Sequence, residues 1–413
     1  MVVLFAAACT SNAAPNEPGG AGHAGGASVA GGSGGAGGAT AAGATSAGSG
    51  GASAASGRGG TSSSGSAGRA AGAAGDRGAS AGVGGSANAR GGGAGTNTDL
   101  GGRSGSSGSV GDAGEPSSST PVEDGIALLP ADRQEHGVVA AHGEVYVLGG
   151  YSPDVTPSVL AYDPATDGWR KVADFPSPFN HPAAGVVNDR IYVAGYYAGT
   201  SLTGPATGRT FAYDPTSDEW AEQQPLPSGT ERAGGCVAVL DTKLYVFGGG
   251  NSGDATDFAS VYDTATDSWT ELPKLPETRE HCSAYPSGGK IYIAGGRTHT
   301  IPEFRPSTLE FDPDAKTYAL KTPIPTPRGG AAGAVLGGRL FLFGGEGADN
   351  QNGVFPEIEA YDARTDSWEK FPGMLVPRHG YGGATLDERI YLPGGAIRQG
   401  GAASDVATVF YFP

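Results

Sequence analysis

Six times in this chain an apolar run ends in glycine, at nearly constant spacing. The runs are VYVLGG ending at Gly150, IYVAGY at Tyr196, LYVFGG at Gly249, IYIAGG at Gly296, LFLFGG at Gly345 and IYLPGG at Gly395. Their first glycines are residues 149, 195, 248, 295, 344 and 394, so successive copies lie 46, 53, 47, 49 and 50 residues apart. Five of the runs are followed by an aromatic–Asp pair: Tyr162-Asp163, Tyr213-Asp214, Tyr262-Asp263, Phe311-Asp312 and Tyr361-Asp362. Seven residues after each of these aromatics stands another: Trp169, Trp220, Trp269, Tyr318 and Trp368. A fixed offset kept through five copies is not chance. A period of this length means an architecture in which each unit buries its faces only against its neighbours.

Each unit reads as four short strands. The first is rich in small residues (GVVAA, AAGVV, GCVAV) and the second is the apolar run, which suits a strand buried on both faces. The third ends at the aromatic–Asp pair, and the fourth begins at the Trp and ends at proline, as in WTELPKLP. Short turns join strands one to two and three to four, and each Asp of the pair starts a turn in which its side chain can bond the backbone. Small residues fit strands crowded around an axis, and larger ones fit the periphery.

These residues resemble kelch repeats. The six units over residues 124–413 resemble a six-bladed kelch β-propeller, an all-β fold in which sheets pack radially around a channel. The resemblance is specific for fold and not for function. The sixth unit stops at its third strand, ATVFYFP413, and the segment Gly125–Arg133 aligns with the fourth-strand pattern without its Trp. The N-terminal strand is therefore expected to complete the last blade and close the ring. Two departures predict local irregularity: Gly195-Tyr196-Tyr197 followed by a long loop to Arg209, and Pro393 inside a second strand.

Composition separates this region from what precedes it. Of 75 glycines, 36 lie before residue 122, whereas all 16 Tyr and all 4 Trp lie after it. A Gly/Ala/Ser segment over residues 9–121 has too little apolar side chain to offset the entropy of ordering and is expected to be a disordered linker. The propeller is assigned residues 122–413. The first 121 residues carry five Arg and five acidic residues, so the whole net charge of −16 belongs to the remainder. That charge disfavours nucleic acid as a partner, because phosphate binding needs cationic surface. No apolar run reaches 18 residues, so no transmembrane helix is expected. Residues 1–8, MVVLFAAA before Cys9, resemble the end of a bacterial lipoprotein signal peptide. The resemblance implies lipidation of Cys9, export, and a monomer tethered at the cell envelope or surface. Cys236 and Cys282 stand in similar contexts one repeat apart. They are read first as small buried hydrophobes, with a bond between them or a metal role as minor alternatives.

In an up-down-up-down blade the 2–3 loops and 4–1 connections share one face, and the shorter turns occupy the other. Sixteen residues before each first glycine stand Arg133, Phe179, Arg232, Arg279, Arg328 and Arg378, at the 4–1 connections. The arginines are expected around the channel mouth as a site for an anionic group, or alternatively as donors to backbone carbonyls. His136, His181, His281 and His379 fall nearby, with His299 and Tyr196 on the 2–3 side, and Glu135, Glu231 and Glu280 add carboxylates. The histidine spacing alone predicts no metal site, and no cofactor is expected.

The favoured function is non-enzymatic recognition of a protein, peptide or glycan, anionic in character, on this Arg/His-lined face. The alternative is a sugar mutarotase or epimerase resembling the sialic acid epimerase, with Arg279 holding a carboxylate and Glu231, Glu280 or His281 moving protons. A copper radical oxidase resembling galactose oxidase is disfavoured by six blades and by cysteines in inner-strand contexts.

Overall fold

The computed structural model describes residues 120–298 and 301–413. His299, Cys9, residues 1–8 and most of the 9–121 segment lie outside the described residues. The described chain holds strands, and among its residues there is no helix. Six antiparallel sheets follow one another along the sequence. Blade 1 is typical: Gly137–Ala141, Glu144–Leu148, Val159–Asp163 and Gly168–Lys171 pair in order from the axis outward.

The ring closes in an antiparallel sheet that joins an N-terminal strand to three C-terminal ones. Ala384–Leu386, Arg389–Pro393 and Ala407–Tyr411 form the inner three strands of blade 6, and Val122–Gly125 adds the outer one. Its register runs from Val122 opposite Tyr411 to Gly125 opposite Thr408. The closing strand therefore precedes the Gly125–Arg133 segment that the sequence pattern picked out and shares only Gly125 with it. Residues 126–133 form the connection to blade 1, pinned where the amides of Ile126, Leu129 and Arg133 donate to Ala407, Asp405 and Ser404. Pro393 ends its strand opposite Ala407 rather than interrupting the ladder.

Blade 2 corrects a second expectation. The segment after Gly195 is largely an extension of the sheet, not a long loop: strands Arg190–Ala198 and Ala206–Asp214 continue past a bulge between Ala194 and Tyr196. The short strand Phe179–Asn180 pairs with the added length.

The periphery repeats one clasp between blades. Trp169 Nε1 donates to the Ala127 carbonyl at 2.8 Å, and Asp167 Oδ1 accepts from the Ala127 amide at 2.8 Å. The same pair grips Ala173 through Trp220 and Asp218, Gln224 through Trp269 and Asp267, and Thr322 through Trp368 and Asp366. Each of these aspartates also accepts from the blade's own Tyr hydroxyl, at 2.6–2.7 Å. Blade 4 shows why the pattern can lapse. Its neighbour presents Pro273, which has no N–H. Only the carbonyl needs a partner, Tyr318 supplies it, and Lys316 stands where the Asp would be. The Asp beginning each of the five turns caps it as expected, accepting from the amide two residues on.

Cys236 and Cys282 form a disulfide, with Cα atoms 5.2 Å apart. This corrects the reading of both as unpaired buried residues. A separation of 46 residues is one short of the 47 between these two blades, so positions one step from equivalent in blades 3 and 4 stand side by side near the axis. A search for local CxxC spacing is blind to that.

Candidate functional site

The 4–1 connections meet at one end of the channel in a closed ring of backbone hydrogen bonds. The residues fourteen positions before each first glycine are Glu135, His181, Gly234, His281, Gly330 and Gly380. Each amide donates to the carbonyl of the preceding blade's residue: Glu135 to Gly380, His181 to Glu135, Gly234 to His181, His281 to Gly234, Gly330 to His281 and Gly380 to Gly330. The distances run from 2.5 to 3.2 Å. This geometry demands left-handed backbone, with φ between 52° and 67° at all six positions. Glycine takes that conformation freely; other residues pay roughly 1–2 kcal/mol. Three blades use glycine. Three instead carry Glu or His, and such departures cluster where a side chain is needed.

Those three side chains converge. Glu135 Oε2 lies 3.1 Å from His181 Nε2 and 3.5 Å from His281 Nε2, with side-chain exposures of 11%, 8% and 10%. One donor atom from each lies within 4.8 Å of the others. The imidazoles meet edge to face at 4.9 Å beside Gly234, whose φ of 62° favours glycine. A Cβ at Gly380 would stand 2.5 Å from Glu135 Oε1, so that glycine is needed for room as well as for its φ of 64°. Two of the histidines expected at the mouth thus meet at one point with a carboxylate, a juxtaposition that their spacing in sequence did not show.

Charge continues around the mouth from a second ring. Residues fifteen before and two after each first glycine pair across it: Gln134 with Tyr151, Asn180 with Tyr197, Ala233 with Gly250, Glu280 with Arg297, Gly329 with Glu346, and His379 with Ala396. Glu280 Oε1 lies 3.5 Å from His281 Nδ1 and 3.4 Å from Arg297 Nε. Arg297 Nη1 reaches Glu346 Oε1 at 2.7 Å, and Glu346 Oε2 lies 3.6 Å from His379 Nδ1. Burial and Arg297 both push the His281 pKa down, but Glu280 and Glu135 outweigh them and hold it at about 9. Burial likewise opposes ionisation of Glu135, but His181 and His281 overcome it and hold its carboxyl well below the usual range. Despite these neighbours, neither ring nitrogen of His281 has a hydrogen-bond partner, and neither does Arg297 Nε. Beyond the ring the channel encloses about 500 Å³ between the small residues of the inner strands.

The arginines sixteen before the glycines do not face this mouth. Arg133, Arg232, Arg279, Arg328 and Arg378 are at most 4% exposed. Their forks are taken up inside their own blades. Arg378 Nη1 donates to the carbonyls of Leu392, Gly394 and Val406, and Arg328 donates to those of Gly344, Thr326 and Leu342. Arg328 also pairs with the fully buried Glu359, and Arg279 with Glu277. Arg133 bonds Gly149 and Ser158, and Arg232 bonds Thr230 and Val246. Burial alone lowers the pKa of Arg133 and Arg232 to about 10. In place of arginine, blade 2 has Phe179 stacked at 4.0 Å on Phe175, with Tyr196 against both.

The remaining expected residues divide. His136 is buried, donates from Nε2 to the Pro393 carbonyl at 2.9 Å, and is held neutral by burial and Arg133, its pKa about 3. His379 borders the mouth, with Nε2 on the Arg398 carbonyl at 2.7 Å. Tyr196 is a core residue, whereas Tyr197 packs on His181 at 5.2 Å. The Glu231 carboxylate is occupied by the Gly229 amide. With Arg279 buried and Glu231 engaged elsewhere, the opposed Arg and carboxylate of the mutarotase alternative are not formed. The sequence count stopped one and two positions short of the residues that face the channel. Extending it would have found the pairs Glu280–Arg297 and Gly329–Glu346.

The comparisons agree on the fold. Residues 236–409 match the family model described as the KLHDC2/KLHL20/DRC7 Kelch-repeats domain, and residues 132–176 match the Kelch motif. Kelch-like protein terF of Aspergillus terreus is 32% identical over 322 residues, covering 72% of this chain and 70% of that protein. Alpha-scruin of Limulus polyphemus is 28% identical over 65% of this chain, which spans only 25% of scruin's length. The solved structure of YjhT superposes with a TM-score of 0.58 at 18% identity, over 69% of this chain and 96% of that one, and so supports the fold alone. Six closed blades, the repeated clasp and these matches together place this chain in the kelch-repeat family.

Proposed function

We propose that this kelch propeller is a recognition module whose ligand docks on the channel mouth. The observation that carries the reading is the ring in which three blades accept left-handed Glu and His while three use glycine. A purely structural ring has no use for that exception. Kelch propellers generally mediate protein interactions, so a protein segment or peptide is the first candidate and a glycan the second. An anionic group on the ligand fits His281 and Arg297, which replace the buried arginines as the cations of the mouth and which the ligand would share with Glu280 and Glu346. We further propose that the propeller is held, as a monomer, at a bacterial cell surface by lipid on Cys9, with the Gly/Ala/Ser segment as spacer. A disulfide between blades 3 and 4 agrees with an oxidising, exported location.

Peptide and glycan arrays probed with the full chain test the binding face. Arg297→Ala removes a charge-assisted donor worth roughly 1.5–3 kcal/mol, so affinity should fall at least about tenfold. Arg190→Ala, on the opposite turns, should leave affinity unchanged. Equal affinity in the folded Arg297→Ala variant, or loss in Arg190→Ala, would remove the mouth as the binding face. Release of a Cys9→Ser variant from the membrane fraction tests the anchor.

A further inference from the structure

We infer that Glu135, His181 and His281 form a binding site for a divalent transition metal, zinc or ferrous iron, at the mouth of the channel. Two imidazoles and one carboxylate are a donor set for these ions, and three protein ligands leave positions open for an exogenous one. The observed spacing suits it. Metal–donor bonds of about 2.0–2.2 Å set neighbouring donors of a tetrahedral ion roughly 3.4 Å apart, and Glu135 Oε2 stands 3.1 and 3.5 Å from the two Nε2 atoms.

The surroundings of the two rings are a separate observation. Asn180 Oδ1 lies 2.5 Å from His181 Nδ1 and accepts its proton, so Nε2 is the nitrogen presented to Glu135 and, once deprotonated, to an ion. Glu280 Oε1 stands 3.5 Å behind His281 Nδ1, within reach but not hydrogen-bonded in the metal-free protein. Acceptors behind the far ring nitrogen are how metal-binding histidines are oriented. His281, about nine-tenths buried, has no hydrogen-bond partner at either nitrogen, so the protein alone leaves its donor atoms unused. The ligands come from blades 1, 2 and 4, and the backbone ring fixes their Cα positions before any ion arrives. The inference rests on these side chains and holds whatever ligand the mouth recognises. A bound ion would present its open positions to the channel and so to an anionic donor.

The test uses the full, untagged chain, treated with chelator and dialysed. It is titrated calorimetrically with Zn(II) and, under anaerobic conditions, with Fe(II). Co(II) serves as an absorbing probe of coordination. The expected result is one equivalent per chain, a thermal midpoint that rises with free metal, and a Co(II) spectrum of a four- or five-coordinate site. Glu135→Gly, His181→Gly and His281→Gly keep the backbone conformation, since glycine already fills the other three ring positions. Each should weaken binding by more than about 100-fold. Asn180→Ala, which removes only the orienting acceptor, should weaken it roughly 10–100-fold. No saturable binding of Zn(II) or Fe(II) by the folded parent overturns the inference. So does undiminished binding in folded His281→Gly or Glu135→Gly.

Discussion

The rim of the propeller and its channel mouth obey the same near-fifty-residue period and use it oppositely. At the rim, four Trp–Asp clasps grip the neighbouring blade through the same two hydrogen bonds, and the fifth changes only where Pro273 removes the donor. At the mouth the backbone repeats more faithfully still, six amides to six carbonyls. Its side chains do not keep the repeat. Glu, His and glycine alternate irregularly, and the second ring mixes Glu280–Arg297 with Ala233–Gly250. Repetition marks what every blade needs in order to stack. Departure from it, on a backbone that strains a non-glycine residue, marks what one face of the molecule has been given to do.

Two perturbations aim to break the structural side of this contrast. The larger is removal of residues 120–125. That strips the outer strand from blade 6 and exposes the edge of Ala407–Tyr411, so loss of soluble folded protein is expected, read by size-exclusion chromatography and circular dichroism. A truncated chain with the parent's midpoint would mean that the ring is held without its closing strand. The next concerns the blade arginines. Arg328→Met leaves Glu359 buried at 0% exposure beside only Lys370 and Thr326, with three carbonyls losing their donor. Destabilisation of about 3–5 kcal/mol is expected in denaturant titrations. Ligand binding by the remaining folded protein should be unaffected. A ligand-binding defect with stability intact would return this arginine to the mouth.

Most of the fold was legible because its determinants are local and periodic. The glycine pairs, the Tyr-Asp pairs and the offset Trp set blade number, strand order and closure. What could not be read was anything fixed by juxtaposition across blades. Cys236 and Cys282 bond because a separation one short of the period brings them together, and that becomes visible only once the period is treated as a distance in space. The arginines were placed at the right connections but with the wrong direction, since a residue two positions before the ring turns back into its own blade. His281 and Glu135 lie 146 residues apart in sequence and 3.5 Å apart in space. No spacing rule connects blades 1 and 4 except the closure of the ring itself.

The smallest effect is the one that sharpens the contrast most. Trp368→Phe keeps the ring stacked on Tyr361 but removes the donor to the Thr322 carbonyl, and should cost about 0.5–1.5 kcal/mol. His181→Gly removes a far more buried side chain, yet three contributions nearly cancel. Relief of left-handed strain stabilises by roughly 1–2 kcal/mol. Added freedom of the unfolded glycine costs about 0.5–1 kcal/mol. Losing the hydrogen bond to Asn180 Oδ1 and the contact with Glu135 costs about 1–2 kcal/mol together. The net change in metal-free protein should therefore stay within about 1 kcal/mol of zero, measured by urea midpoints at constant slope. If His181→Gly instead destabilises by several kcal/mol, the histidine is a keystone of the ring, and its exception to glycine is explained by folding rather than by a ligand. A near-neutral result beside lost ligand or metal binding would separate the two regions: a rim selected for stacking and a mouth selected for what it holds.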